Sequence, residues 1–401
     1  MDRNGHYLPS GVMGELCVCS GLNFLDVLVR QGVVNNLPKP PYIMGLECAG
    51  EVEAVGEDVE GLQVGDKVAA LADAQAWAEL TAVPAQYVYK LPQGMSPKDA
   101  AGILLNYTVA HILVHELAGG LSGGSKVVLV HSAGGAVGLA IAHLAKLACP
   151  DVVLIGIASK HKHEAIKDHY SHLLEHGSDY VAEVKKISPA GVDVVLDCSS
   201  GDDTNKGHSL LKPLGKYIIY GRHLFFLILV LWWQVDKVSP LKLYDENKSL
   251  SGLHLRHLLY KQDGHQYVRS VVDKVWALWE QGSLASPVVD SVYALEDVTE
   301  GMQKLHERKN VGKIVLDLQM EPKPKPQTEK KSKNKDKEVK AAASIEEPPA
   351  KEATAEDGDA PKEAPKEAVA AEKPAEAAAE GGAPAEAPAA AEKPAEEAKE
   401  N

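Results

Sequence analysis

Residues 131–138 read HSAGGAVG, a density of small residues that lets a backbone close on a phosphate or simply turn tightly with no ligand. The flanking residues separate the two readings. KVVLV (126–130) is a continuous apolar run of buried-strand length, and GLAIAHLAKLAC (138–149) carries apolar residues at helical spacing. A strand passing through a glycine turn into a helix is the setting a dinucleotide fingerprint requires. Set against G-x-G-x-x-G, the three positions are Ala133, Gly135 and Gly138, with Ala in place of the first glycine. Gly135 then admits a pyrophosphate and Gly138 lets the helix pack on the strand. Gly134, Ala136 and Val137 supply amides at the positive helix end. GGLSGGSK (119–126) matches a phosphate loop in composition only, because no Gly-Lys-Ser/Thr follows.

Cofactor choice is read at the end of the next strand, DVVLIGIA (151–158), where an acidic residue would hold the ribose hydroxyls of NAD. The chain instead has Ser159, Lys160 and Lys162, which suit a 2′-phosphate and favour NADPH; the alternative is that these lysines only solvate a helix start. His161, His163, His169, His172 and His176 follow closely. His172 and His176 are spaced i, i+4, but Leu173 and Leu174 between them read as strand or turn, so no metal site is expected there. Cys17, Cys19, Cys48, Cys149 and Cys198 have no paired C-x-x-C spacing, which fits reduced thiols in a cytoplasmic setting.

Those residues need elements to hold them. GELCVC, AGEVEAVG, GDKVAAL, WAELTAV and QYVYKLP read as short strands separated by glycines. At Ser96-Pro97 the period changes to helical, with a Ser cap and Pro at the first helical position. Strands and helices then alternate: SKHKHEAIKDH and SDYVAEVKKIS read as helices, VDVVLDC (192–198) as a strand, KGHSLLKPL as a helix and KYIIYG (216–221) as a strand. Doubly apolar strands between amphipathic helices imply a parallel sheet covered on both faces. LEDVTEGMQKLHERKNVGKIVLDL reads as a helix and a strand returning to the β-rich part.

The 401 residues are 45% hydrophobic, enough for two cores, but residues 321–401 are almost wholly Lys, Glu, Ala and Pro with no aromatic residue. They read as a disordered tail, basic from 323 to 340 and acidic beyond. A net charge of −14 argues against nucleic acid as a partner. LFFLILVLWW (224–233) is about half the length of a bilayer span.

With GLNFLD (21–26), GLECAGEVEAVGEDVEGLQVGDKV (45–68) and NYTVA (106–110), the chain resembles the medium-chain dehydrogenase/reductase superfamily over residues 14–318, in its zinc-free quinone oxidoreductase (zeta-crystallin-like) branch. Within that branch KKISPAGVDVVLDC, SLLKPLGKYIIYG, WWQVDKVSPLKLYDENK and ERKNVGKIVLDL are similar to a group of vesicle membrane proteins. The resemblance implies an α/β chain: a GroES-like β-rich domain plus a Rossmann doubly wound parallel sheet, with the tail outside both. The expected boundaries are 1–105 and 286–320 for the GroES-like domain, 106–285 for the Rossmann domain and 321–401 for the tail. Zinc relatives carry a Cys and a His where this chain has Asn23 and Leu46; Leu46 cannot ligate, so no catalytic metal is expected, and Glu47 reads as structural.

The implied reaction is hydride transfer from NADPH to a quinone or an α,β-unsaturated carbonyl. By family position Asn23 stands beside the nicotinamide or substrate carbonyl, and Tyr107 and Thr108 against the nicotinamide ribose and ring. Gly221, at the end of KYIIYG, belongs with the cofactor set. The rival readings are that Asn23 caps a turn and that Tyr107 packs between domains. The alternative function is a non-catalytic nucleotide-binding protein on vesicle or mitochondrial outer membranes. The resemblance also implies a homodimer, and peripheral membrane contact is open to the basic segment. Two departures stand out: the first strand looks short at VCS, and residues 222–231 are RHLFFLILVL where the family has a longer polar loop.

Overall fold

The computed structural model describes residues 11–34, 39–199, 201–221 and 240–324. Residues 222–231 and the tail beyond 324 lie outside them. Along the chain the first elements are β1 (Val12–Leu22), α1 (Phe24–Arg30), β2 (Glu47–Val55), β3 (Lys67–Leu71), β4 (Leu80–Pro84), β5 (Val88–Lys90) and α2 (Pro97–His111). Next come β6 (Val127–His131), α3 (Ala136–Ala148), β7 (Val153–Ala158), α4 (His163–Ile166), β8 (His172–Glu175), α5 (Tyr180–Ile187), β9 (Val192–Asp197), α6 (Asp202–Leu210) and β10 (Leu211–Tyr220). The last are α7 (Pro240–Glu246), β11 (Ser249–Leu253), α8 (Leu255–Lys261), α9 (His265–Glu280), β12 (Val289–Ala294), α10 (Val298–His306) and β13 (Lys313–Asp317).

Two sheets result. The first has the order β12-β13-β1-β2-β3-β5, with β4 also paired to β1. It is antiparallel except for the β12–β13 pair, so the last segment of the chain joins the first, with Gly21 opposite Val315 and Leu22 opposite Ile314. The second sheet is parallel with the order β11-β10-β9-β6-β7-β8. Its central strands are buried on both faces, β9 at every residue, and this is why VDVVLD shows no alternation. From β6 the chain passes through α3 to β7 on one side, and β9 pairs with the other side of β6. The C-terminal end of β6 is therefore the topological switch point, where open α/β sheets form their ligand crevice.

Helix α2 links the sheets. Ser96 Oγ accepts the Asp99 N–H at 3.1 Å, and Pro97 stands where a helix has no use for its N–H. The helix packs on β1, β2 and β3 and also on α3 and α9, so it is apolar almost all round. Among the described residues one helical stretch, Pro97–Leu117, is long and apolar enough to cross a membrane, but 78% of its window is buried inside the protein.

Several expectations are redrawn. β1 is 11 residues long, with register shifts at Gly14/Glu15 and Cys17/Cys19, so the strand expected to be short is the longest of its sheet. KGHSLLKPL is helical only to Leu210, and Leu211 already pairs with Val192 in the sheet. SKHKHEAIKDH is one helical turn, α4, between two 3₁₀ turns. His172 begins strand β8 and His176 follows its end, so their side chains share no helix face.

Candidate functional site

The HSAGGAVG turn closes at the switch point. Gly135 N–H donates to Ser132 O at 2.9 Å, Ala133 N–H to Ile157 O at 3.0 Å, and Ser132 takes a positive φ of 54°. Gly135 caps α3, which among the described residues has no side-chain cap and no acidic residue in its first turn, so the helix itself places no anion on its positive end. A Cβ on Gly138 would stand 2.6 Å from Ser132 O and 2.7 Å from Ala133 O; both are backbone atoms, so the third fingerprint glycine is needed for helix packing. Tyr170, which carried no sequence signal, donates its hydroxyl to Gly138 O at 2.7 Å.

Beneath the turn lies a buried polar group. His131 Nδ1 is 2.8 Å from Asp197 Oδ1, and Asp197 also accepts from Ser199 N–H, Thr204 Oγ1 and Tyr217 O–H. The carboxylate thus ties the ends of β6 and β9 to Tyr217 within β10 and Thr204 on α6. Cys198, next in the chain, has its thiol pushed up by burial. Gly221 has a positive φ of 61°, and a Cβ there would approach Cys198 Cβ at 3.9 Å.

The residues expected to choose the cofactor diverge. Ser159 caps the 3₁₀ turn at the end of β7 and Lys160 is exposed. Lys162 is buried: its stem covers Gly134, and its ammonium donates to Asn310 O at 2.6 Å. Burial lowers its pKa.

Asn23 stands at the N-cap of α1 and enters a second buried group. Its Nδ2 donates to Glu47 Oε1 at 2.8 Å, and its Oδ1 accepts from Lys313 Nζ at 2.7 Å. Lys313 also pairs with Glu47 Oε1 at 2.6 Å, and both side chains are at most 1% exposed. Gly21 makes room, since a Cβ there would fall 2.3 Å from Glu47 Oε1. Asp26 accepts the Asn23 N–H at 2.8 Å through Oδ2, while its buried Oδ1 has no partner. Burial pushes the Asp26 carboxyl up to about 7, against the pull of that N–H and of Lys313. Sequence reasoning missed Lys313, whose only signal was a lysine inside an otherwise apolar strand.

Tyr107 points from α2 to α3, where its hydroxyl is 3.3 Å from His143 Nδ1. His143 Nε2 is 3.1 Å from Ser283 O, a pure acceptor. Burial lowers the His143 pKa and pushes the Tyr107 phenol up to about 12, so the neutral ring donates from Nε2 and accepts the phenolic proton at Nδ1. Thr108 is fully buried and its Oγ1 has no hydrogen-bond partner. The fold brings the turn, Lys162, Asn23 and Lys313 together through residues 310–313: Gly312 N–H donates to Gly134 O at 2.9 Å, and Gly312 bridges to Gly135. Tyr107 lines the same small cleft as Ala136 and Lys313, with its hydroxyl spent on His143. A cavity of about 230 Å³ lies elsewhere, among Gly14, Glu53 and Thr81 in the first sheet.

Comparison with known proteins fits this arrangement. Residues 17–93 match the alcohol dehydrogenase GroES-like domain, and residues 170–316 match a zinc-binding dehydrogenase domain. The synaptic vesicle membrane protein VAT-1 homolog-like of Homo sapiens is 48% identical over 323 residues, covering 78% of this chain and 76% of that protein. A crystal structure of the human protein of that name aligns with a TM-score of 0.69 at 43% identity, over 78% of this chain and 91% of that one. A mycobacterial protein complexed with NADPH has a TM-score of 0.67 at 24% identity, over 79% and 94%. A quinone oxidoreductase of Pseudomonas syringae has a TM-score of 0.67 at 23% identity, over 79% and 94%. At these last identities the likeness is one of fold.

Proposed function

The chain belongs to the VAT-1 homologue group of the medium-chain dehydrogenase/reductase superfamily, and we propose that it is a zinc-independent reductase using NADPH to reduce a quinone or an α,β-unsaturated carbonyl. The observation that carries this reading is the uncapped α3 N-terminus behind a glycine turn at the switch point, whose open face suits a pyrophosphate. A bound nicotinamide supplies the hydride. The chain's part is to hold the dinucleotide by backbone amides, to offer Lys162 to a 2′-phosphate and to shape the cleft beside Asn23.

Zinc independence rests on the acid pocket. Leu46 offers no donor atom, and the Lys313 ammonium already sits on Glu47 and Asn23, where it supplies the positive charge that a cation would bring. The same ammonium and the Asn23 amide carry protons that could polarise a substrate oxygen, which suits a substrate already activated by conjugation.

A second reading, a nucleotide-binding protein without turnover, is favoured by one observation: the Asn23 amide and the Tyr107 hydroxyl both have partners inside the protein. Its place at a membrane would follow that of the relatives named as vesicle membrane proteins. Titration with NADPH, followed by oxidation assays over a panel of quinones and enones, separates the two. Binding with turnover supports the reductase, binding alone supports the second reading, and absence of binding defeats both.

A further inference from the structure

Lys162 is a buried cation with an unusual partner. The residue is 8% exposed, and among the described residues no ion pair joins it to a carboxylate, Asp290 acting on it only at longer range. Its hydrogen bond goes to a neutral acceptor, the Asn310 carbonyl. An ammonium removed from water and given one carbonyl and a carboxylate beyond contact is only partly compensated, and an anion in direct contact would suit it better. The nearest structural feature is the phosphate turn, since the Lys162 stem lies against Gly134.

The carbonyl that holds this ammonium belongs to a strap. Residues 310–313 cross from α10 to β13 over the turn, and several bonds fix them. Gly312 N–H donates to Gly134 O, Val311 N–H to Asp290 Oδ1 at 2.8 Å, and Asn310 Nδ2 to Gly312 O at 2.7 Å. The next residue is Lys313, whose ammonium serves Glu47 and Asn23. One short segment therefore touches the phosphate turn, the candidate 2′-phosphate lysine and the acid pocket.

We infer that the Asn310 carbonyl is a built-in competitor for the Lys162 ammonium, so that a nucleotide bearing a 2′-phosphate loosens the 310–313 strap as it takes Lys162, whereas one lacking that phosphate leaves the strap closed. The inference rests on the nucleotide-binding reading above and adds to it a coupling: recognition of the 2′-phosphate reaches Lys313 through the backbone. Asn310 is in this sense a positioning residue, acting on the nucleotide only through Lys162. The energy of the exchange favours the phosphate because a charge-assisted bond to an anion replaces one to a carbonyl.

Hydrogen exchange of the full chain, read by mass spectrometry on the peptide 308–315, tests it with saturating NADPH, saturating NADH and no nucleotide. NADPH is expected to speed exchange of the Gly312 and Lys313 amides about tenfold over both other states, the effect of losing one charge-assisted bond. Lys162→Met keeps the stem on Gly134 without the ammonium, and should abolish the difference between the two nucleotides. Equal exchange with both bound nucleotides overturns the inference alone, as does a difference that persists in Lys162→Met. Calorimetry on the same samples detects the other failure: if neither nucleotide binds, the nucleotide reading falls, and the inference with it.

Discussion

Two buried carboxylates, Glu47 and Asp26, meet different fates, and the difference lies in their partners. Glu47 is compensated by Lys313, Asn23 and the Leu105 N–H, so removing only the cation leaves a charge buried in apolar surroundings. Lys313→Met should cost about 3–5 kcal/mol, and adding Glu47→Gln should recover a large part of it. Urea denaturation of the two single variants and the double variant gives the coupling, and additive losses would show that the pair contributes nothing as a pair. Asp26 has one N–H and an unpartnered oxygen, and burial raises its carboxyl from 3.8 to about 7. A raised folded-state pKa means that the folded state holds its proton longer than the unfolded one. Its contribution to stability is then complete below pH 4 and is lost as pH rises through 7, by on the order of 4 kcal/mol. Asp26→Asn keeps an acceptor for the Asn23 N–H and removes the titration. It should gain stability over the parent between pH 5 and pH 8, and parallel urea midpoints across that range would sink the assignment. Asn23 was legible as a candidate from its position in GLNFLD, but nothing in the sequence showed that Lys313, 290 residues later, would bind its amide oxygen.

At the level of elements, the sequence spoke clearly wherever one period ran unbroken. VVLVH, VLIGIA and VDVVLD are strands because both faces are covered, and HSAGGAVG leads into α3 as its glycines require. Gly138→Ala should test that turn. Its methyl group would press on two backbone carbonyls, Ser132 O and Ala133 O, so the variant should lose about 1–3 kcal/mol and bind NADPH more weakly. Calorimetric titration and thermal melting check both, and a variant with parental affinity would remove the turn from the binding site. Reading was poorest where local and tertiary demands differ. KGHSLLKPL read as one helix, yet the chain leaves α6 at Leu210 because Leu211 is drawn into the parallel sheet beside Val192. The lysines after β7 read as one set suited to a 2′-phosphate, although Lys160 is exposed and Lys162 is turned inward under Gly134.

For the molecule as a whole, β13 matters more than its five residues suggest. It lies between β12 and β1 in the first sheet, and the segment entering it is bonded to the glycine turn of the second. A chain ending at residue 309 should fail to fold, while one ending at residue 324 should keep the parental melting temperature and NADPH affinity. A clear loss of either in the longer truncation would show that residues beyond 324 contribute to the folded part. Liposome flotation of the same pair of chains, 1–324 and full length, reports whether the basic segment from 323 to 340 reaches anionic lipid. The sequence by itself determined the α/β class, the strand–turn–helix at 131–138 and the helix cap at Ser96, because each of these depends on neighbours a few residues away. Only the tertiary structure decided that Lys162 faces Asn310, that Tyr107 spends its hydroxyl on His143, and that Lys313 closes the acid pocket. Those contacts join residues 36, 148, 266 and 290 positions apart, and a pattern read within one turn or one strand carries no information at that distance.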